Sequence, residues 1–228
     1  MGTSIHLVLK VILFSLSLLF LTGCDSDAQE TEALKTEKLS EEKRAQHLLI
    51  TQTHAALKKW FRYYNLQDEA DTLFKLREVW ETDLLSGQVT DDWQKLYKAN
   101  RKLFKPDPSE KFVLDLYTSR LILEKGKRKY KVRVTSPDSE AAIVDPKTGE
   151  KVRLIFCNAA CQFHDGWWRN EKEIIVVGLI QGFDNKTLHP AIWHINLYTQ
   201  HVQQFTAEVA ANPDKSKNYL LDNVWEEL

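Results

Sequence analysis

The apolar positions of this chain change period near residue 110. Upstream they recur every three or four residues, which is the spacing of one helical face. Leu48, Leu49, Ala56, Leu57, Trp60, Phe61 and Tyr64 predict a first helix, with Ser40 as its cap and Glu41 and Glu42 in the first turn, where the helix dipole favours acids. Asn65 caps a predicted second helix that carries Ala70, Leu73, Phe74, Arg77, Trp80 and Leu84 on one face and stops at Gly87. Thr90 opens a third helix, with Trp93, Leu96, Tyr97, Leu103 and Phe104 apolar. Lys105-Pro106-Asp107-Pro108 ends the helical part, because proline disfavours helix in the residue before it. The aromatic stripe Trp60, Phe61, Tyr64, Trp80, Trp93 and Tyr97 reads as core.

From Phe112 onward, β-branched and aromatic runs are separated by turn signals such as Ser136-Pro137-Asp138, Asp145-Pro146-Lys147-Thr148-Gly149 and Asp184-Asn185-Lys186. The runs begin at Phe112, Leu121, Tyr130, Ala141, Val152, Ile174, Ala191 and Val202. Short strands at this spacing predict an antiparallel meander. The expected fold class is therefore α+β: a helical segment of about three helices over 40–108, packed on an antiparallel β domain over 109–228.

The meander contains a weak internal repeat. Ile143-Val144-Asp145 through Phe156 matches Ile195-Asn196 through Phe205, with Asp145 aligned on Asn196 and a threonine three residues after each. With Gly166-Trp167-Trp168 leading into Ile174, these stretches resemble β-propeller blades. The resemblance implies two four-stranded units, too few to close a ring, so the helices are expected to cover the sheet.

At the N-terminus a short apolar run, Val11 to Leu21, follows Lys10 and ends at Leu21-Thr22-Gly23-Cys24. A positive residue, a short apolar core and small residues form the pattern of a secretion signal. The tetrad resembles the lipobox of bacterial lipoproteins. That resemblance implies cleavage after residue 23, a lipid on Cys24 and anchorage of the protein to a membrane of the bacterial cell envelope, inner or outer. Residues 25–39 are polar and acidic and read as a flexible tether, whose ~15 residues would span about 20 Å.

Charge narrows the partners. With 31 Lys and Arg against 32 Asp and Glu, the chain has none of the positive excess that binds nucleic acid. The basic cluster from Lys125 to Arg133 alternates through a predicted hairpin and reads as a solvated strand edge. A protein or glycan partner in the envelope is expected instead.

Candidate chemistry centres on Cys157-Asn158-Ala159-Ala160-Cys161, with His164 and Asp165 close behind. Three readings stand side by side: a disulfide between Cys157 and Cys161, suited to an oxidising compartment; two buried thiols acting as small hydrophobes; and a copper or zinc site, or a redox site, using Cys157, Cys161 and His164. In a continuous strand, residues four apart stand about 13 Å apart, so either of the paired arrangements needs a turn at Asn158-Ala159-Ala160. His164, Asp165, Trp167 and Trp168 form a candidate binding patch, although adjacent tryptophans on a strand point to opposite faces. No Gly-x-Ser-x-Gly elbow, phosphate-binding loop or dinucleotide fingerprint occurs. The expected function is a binding or scaffolding lipoprotein with no cofactor; metal or redox handling and hydrolysis are the alternatives.

Overall fold

The computed structural model describes residues 25–66, 70–90, 92–125, 130–134, 136–182, 184, 186–211 and 219–225. The signal segment, Cys24 and the turn of the basic cluster at 126–129 lie outside the described residues. The chain divides into a unit that ends at Leu48 and a unit from Leu49 to Leu228.

The stretch expected as a tether is helical. Helix α1 runs from Asp25 to Ala56 without a glycine or proline, and Glu, Lys, Gln, Ala and Leu dominate it. Residues of this kind lose little rotamer freedom in a helix. Within the first unit, Leu48 is half exposed although it lies on the predicted apolar stripe.

The second unit is β-rich, with antiparallel sheets and few helices. After α1, the short helix α2 (Lys58–Tyr63) buries Trp60 and Phe61, and α3 (Ala70–Leu73) is a single turn. Strand β1 (Phe74–Glu81) follows directly, then β2 (Leu85–Gln88) and helix α4 (Trp93–Ala99). Next come β3 (Lys105–Pro106), β4 (Val113–Asp115), β5 (Leu121–Lys125), β6 (Tyr130–Val134), β7 (Ser139–Val144) and β8 (Glu150–Cys157). The last four are β9 (Cys161–Asn170), β10 (Glu173–Gln181), β11 (Leu188–Asn196) and β12 (His201–Ala207).

Two five-stranded sheets, ordered β1-β12-β11-β10-β9 and β2-β8-β7-β4-β3, and the β5-β6 hairpin replace the two four-stranded blades that the repeat suggested. The repeat itself has a local cause. Asp145 Oδ1 accepts the amides of Lys147 and Thr148, and Asn196 Oδ1 accepts those of Tyr198 and Thr199. Each is a side chain capping its own turn. The β7-β8 and β11-β12 hairpins share this turn yet belong to different sheets.

The second predicted helix is β1 and β2, and Gly87 lies within β2 rather than at a helix end. β1 is bulged against β12 between Leu76 and Glu78. The less exposed positions of this strand, Phe74, Arg77 and Trp80, recur every three residues across the bulge and so imitate a helical face. Of the aromatic stripe, Trp60, Phe61 and Trp93 are buried, and Tyr64, Trp80 and Tyr97 pack against the same core.

β9 joins the two sheets. It is the edge of the first sheet, and the Ser139 side chain of the second bonds two of its main-chain groups. Phe163 N donates to Ser139 Oγ at 3.3 Å, and Ser139 Oγ donates to Cys161 O at 3.4 Å. Trp168 Nε1 donates to Lys105 O at 2.9 Å. A buried strand edge needs such partners.

Candidate functional site: a lysine-walled cleft over a buried histidine

The site begins with a bulge. Asp165 pairs with Val177 and Phe163 with Gly178, so His164 is an extra residue in β9. Phe163 and His164 are consecutive and both completely buried. The bulge switches the parity of the strand: Cys161 and Phe163 face inward before it, and His164, Gly166 and Trp168 after it. Gly178 makes room, since a β-carbon there would stand 1.9 Å from Gln162 O.

His164 is held on every side. Trp60 Nε1 donates to its Nδ1 at 3.3 Å, which assigns the ring proton to Nε2, 3.4 Å from Gln162 Oε1. The Tyr64 hydroxyl also lies 3.3 Å from Nδ1. The imidazole lies near-parallel to the rings of Tyr64 and Tyr219, at 5.9 and 5.1 Å between centroids, and the two tyrosine rings are themselves 6.1 Å apart, so the three rings form one cluster. Burial, reinforced by the nearby Arg120 charge, lowers its pKa to about 3, so it is neutral across the physiological range. Burial also raises the Tyr64 and Tyr219 phenols, which stay protonated.

Tyr117 closes the back of this cluster. Its hydroxyl donates to His164 O at 2.8 Å. The loop that carries it is wound around Asp115, whose Oδ1 accepts the amides of Tyr117 and Thr118, each at 3.0 Å, while Thr118 Oγ1 donates to Oδ2.

Over Tyr117 and Tyr219 opens a cleft of about 220 Å³. Lys59 from α2, Lys102 from the turn after α4 and Lys105 from β3 wall it. Asp165 and Asn223 complete the polar lining, and Leu103 and Val224 the apolar part. Lys105 Nζ is 3.2 Å from Asp165 Oδ1. The described lining therefore holds three lysines and one carboxylate. Its lining contains no serine, threonine or cysteine among the described residues, and the buried His164 ring is not part of it.

The sequence-predicted residues are thus divided. Asp165 lines the cleft, His164 is buried beneath it, and Trp168 is a core side chain that anchors Lys105 through its indole. His164 and Trp168 therefore form no part of an exposed patch. Trp167 lines a different recess, with Gln52, Ala55, Ala56, Arg169 and Glu173. Arg169 there donates to Gln52 Oε1 at 2.7 Å and pairs with Glu173 at 3.0 Å. Cys157 and Cys161 are joined as a disulfide across the Asn158–Ala160 turn, with Cα atoms 5.8 Å apart. Among the described residues no three His, Cys, Asp or Glu side chains are grouped to hold a metal, so His164 does not join the two sulfurs.

Lys59, Lys102, Lys105, Tyr117, Tyr219 and Asn223 carry no mutual spacing in the sequence, because they arrive from four separate segments. The chain defines a β-rich domain with a lysine-walled cleft. No protein-family model, curated protein or solved structure matches it. No helix among the described residues is long and apolar enough to cross a membrane.

Proposed function

We propose that this protein is a lipid-anchored binding module of the bacterial cell envelope, with its ligand seated in the lysine-walled cleft. The observation that carries the reading is the preformed cleft itself. Its floor is fixed by Tyr117 and the stacked His164–Tyr219 pair, and its wall by the Lys105–Asp165 contact and the Trp168 anchor. Convergent polar groups on a rigid floor are the common form of a small-ligand site. The anchor rests on Leu21-Thr22-Gly23-Cys24. Residues 25–48, as a helix, extend about 36 Å at 1.5 Å per residue.

The test uses the full chain in native membranes. A photoreactive side chain is placed at Lys59, in the cleft, and separately at Tyr198, far out in solvent. The expected result is a discrete adduct from position 59 only, and release of the protein from the membrane fraction by Cys24→Ser. Identical patterns from both positions would refute the cleft, and a Cys24→Ser chain that stays with the membrane would refute the lipid anchor.

A further inference from the structure

We infer that the outer edge of β1 is a docking site for a second copy of this chain, which adds its own β1 antiparallel across a two-fold axis. β1 supplies none of the described lining of the cleft, so this surface is separate from the proposed ligand site.

β1 stands at the end of its sheet: one side pairs with β12, and among the described residues no strand pairs with the other. Thr82 N donates to Gln200 O at 2.8 Å. Main-chain groups alternate in direction along an antiparallel pair. Glu78 and Trp80 therefore turn theirs toward β12, and Val79 and Glu81 turn theirs outward. The bulge between Leu76 and Glu78 resets the phase, so Lys75, opposite Thr206, points inward and Leu76 outward. The outward groups of Leu76 and Val79 are thus three residues apart, where a regular strand has them two apart.

A bulge of this kind ordinarily protects an edge, because a regular strand does not follow it. A copy of the same edge does. With the two-fold axis passing through the bulge, Leu76 of each copy meets Val79 of the other, and Arg77 of each stands opposite Glu78. The step of three is then matched on both strands, which an unrelated regular strand does not offer. An isologous contact of this form closes on itself as a dimer.

The side chains agree with that register. Leu76 and Val79 are 46% and 52% exposed. Their partners on β12, Phe205 and Gln203, are two residues apart, so both side chains stand on one face of the sheet and become cross-strand apolar pairs in the dimer. Lys75 and Arg77 precede the axis and Glu78 and Glu81 follow it, so the basic half of one edge runs along the acidic half of the other. Parallel pairing would set like charges together. It is the order of the charges along the strand that counts, and Lys75 keeps Glu208 at 2.7 Å.

The test uses the full chain in detergent, followed by sedimentation equilibrium at the density match of the detergent. A monomer–dimer equilibrium is expected. Leu76→Cys and Val79→Cys chains with different affinity tags are then mixed and oxidised. A hydrogen-bonded antiparallel pair holds its Cα atoms about 5.5 Å apart, within reach of a disulfide. The 76–79 link between differently tagged chains is therefore expected to exceed the 76–76 and 79–79 links, and to exceed any link from position 76 to a Leu85→Cys chain. Val79→Pro removes an outward N–H and no bond to β12, so the urea midpoint stays put. Each dimer loses two hydrogen bonds, and association weakens on the order of tenfold. Where proline lowers the midpoint, Glu78→Lys carries the same test with the main chain untouched. It sets a cation opposite Arg77 and weakens association, and mixing it with an Arg77→Glu chain restores association in the mixture alone. A chain that is monomeric at every concentration leaves this edge to a strand of another protein and overturns the inference. So does a dimer that both Val79→Pro and Glu78→Lys leave intact, or a 76–76 link as abundant as the 76–79 link.

Discussion

The Tyr117 hydroxyl donates to the main-chain carbonyl of His164 at 2.8 Å, tying a loop of one sheet to the bulge in the other. Both residues are buried, so this carbonyl has no recourse to water. Removal of the donor strands an acceptor, and the cost is the desolvation of that acceptor rather than the modest net value of the bond. Tyr117→Phe is therefore expected to lower stability by about 1–3 kcal/mol. Urea unfolding checks this: the midpoint should fall with an unchanged denaturant slope. A shift below about 0.5 kcal/mol would mean that the carbonyl is satisfied some other way.

The bulge also dictates Gly178. A β-carbon at this position meets Gln162 O at 1.9 Å and Gln162 C at 2.9 Å, both main-chain atoms that cannot swing aside. Gly178→Ala must push β9 away from β10 or reverse the bulge, and overpacking of this kind costs on the order of 3 kcal/mol. Gly87→Ala is the contrast: its β-carbon would meet only the flexible Lys151 side chain, at 3.7 Å. Thermal melting of the two variants should show a large loss for the first and a small one for the second.

These two bulges mark where the sequence was readable and where it was not. The uninterrupted runs Ile174–Leu179 and Ala191–Ile195 are strands β10 and β11, and the Asp145 and Asn196 turns lie where the Asp/Asn-x-x-Thr pattern put them. A bulge adds a residue without leaving a compositional trace. At β1 it made a strand look helical, and at His164 it made two consecutive residues equally buried, which no period of two predicts. The candidate site shows the same limit. Asp165 and His164 stood out because they are close in the chain, whereas the three lysines gain meaning only when α2, the α4 turn and β3 meet. Trp168 looked like a ligand platform, but its N–H is engaged in holding Lys105.

The buried imidazole makes stability depend on pH in a definite direction. Burial lowers the pKa of His164 to about 3, whereas in the unfolded chain it is about 6.5. Between these values the unfolded state binds the extra proton, so the stabilisation is complete above pH 6.5 and is lost as pH falls toward 3. The slope from one such group reaches at most about 1.4 kcal/mol per pH unit. Asp115 acts in the opposite sense, because burial raises its pKa and the folded state keeps its proton longer as pH rises through the carboxylate range. Unfolding free energies at pH 7.5, 6.5, 5.5 and 4.5 for the native chain and His164→Gln isolate the histidine. The difference between them should shrink steadily below pH 6.5; a constant difference would show that the ring takes up its proton equally in the folded and unfolded states.

The Cys157–Cys161 link closes a loop with a sequence separation of only four. In the chain-entropy account so short a loop contributes about 2 kcal/mol. Thiol titration of the unfolded protein, purified without reductant or chelator, should therefore find neither residue free. Added reductant should lower the urea midpoint by an amount that matches Cys157→Ser with Cys161→Ser. Two titratable thiols with one equivalent of zinc or copper would instead reinstate a metal at these sulfurs.

Trp168→Phe tests whether the wall of the cleft is built from behind. The indole is 8% exposed, and its N–H donates to Lys105 O at 2.9 Å. β3 has only two residues, paired to β4 through Lys105–Leu114 and Pro106–Val113. So short a strand has little of its own to hold it, and the indole bond fixes the main chain from which Lys105 reaches Asp165. Phenylalanine keeps most of the buried ring and removes the donor, so the fold should survive with a loss of about 1–3 kcal/mol for the stranded carbonyl. Capture of the cleft ligand should fall as well, although residue 168 does not line the cleft. The Lys105→Gln chain, which lacks the ammonium in any case, should lose little more on adding Trp168→Phe. A double-mutant cycle on ligand capture reads this coupling directly. Additive losses would show that Trp168 stabilises the domain without positioning Lys105.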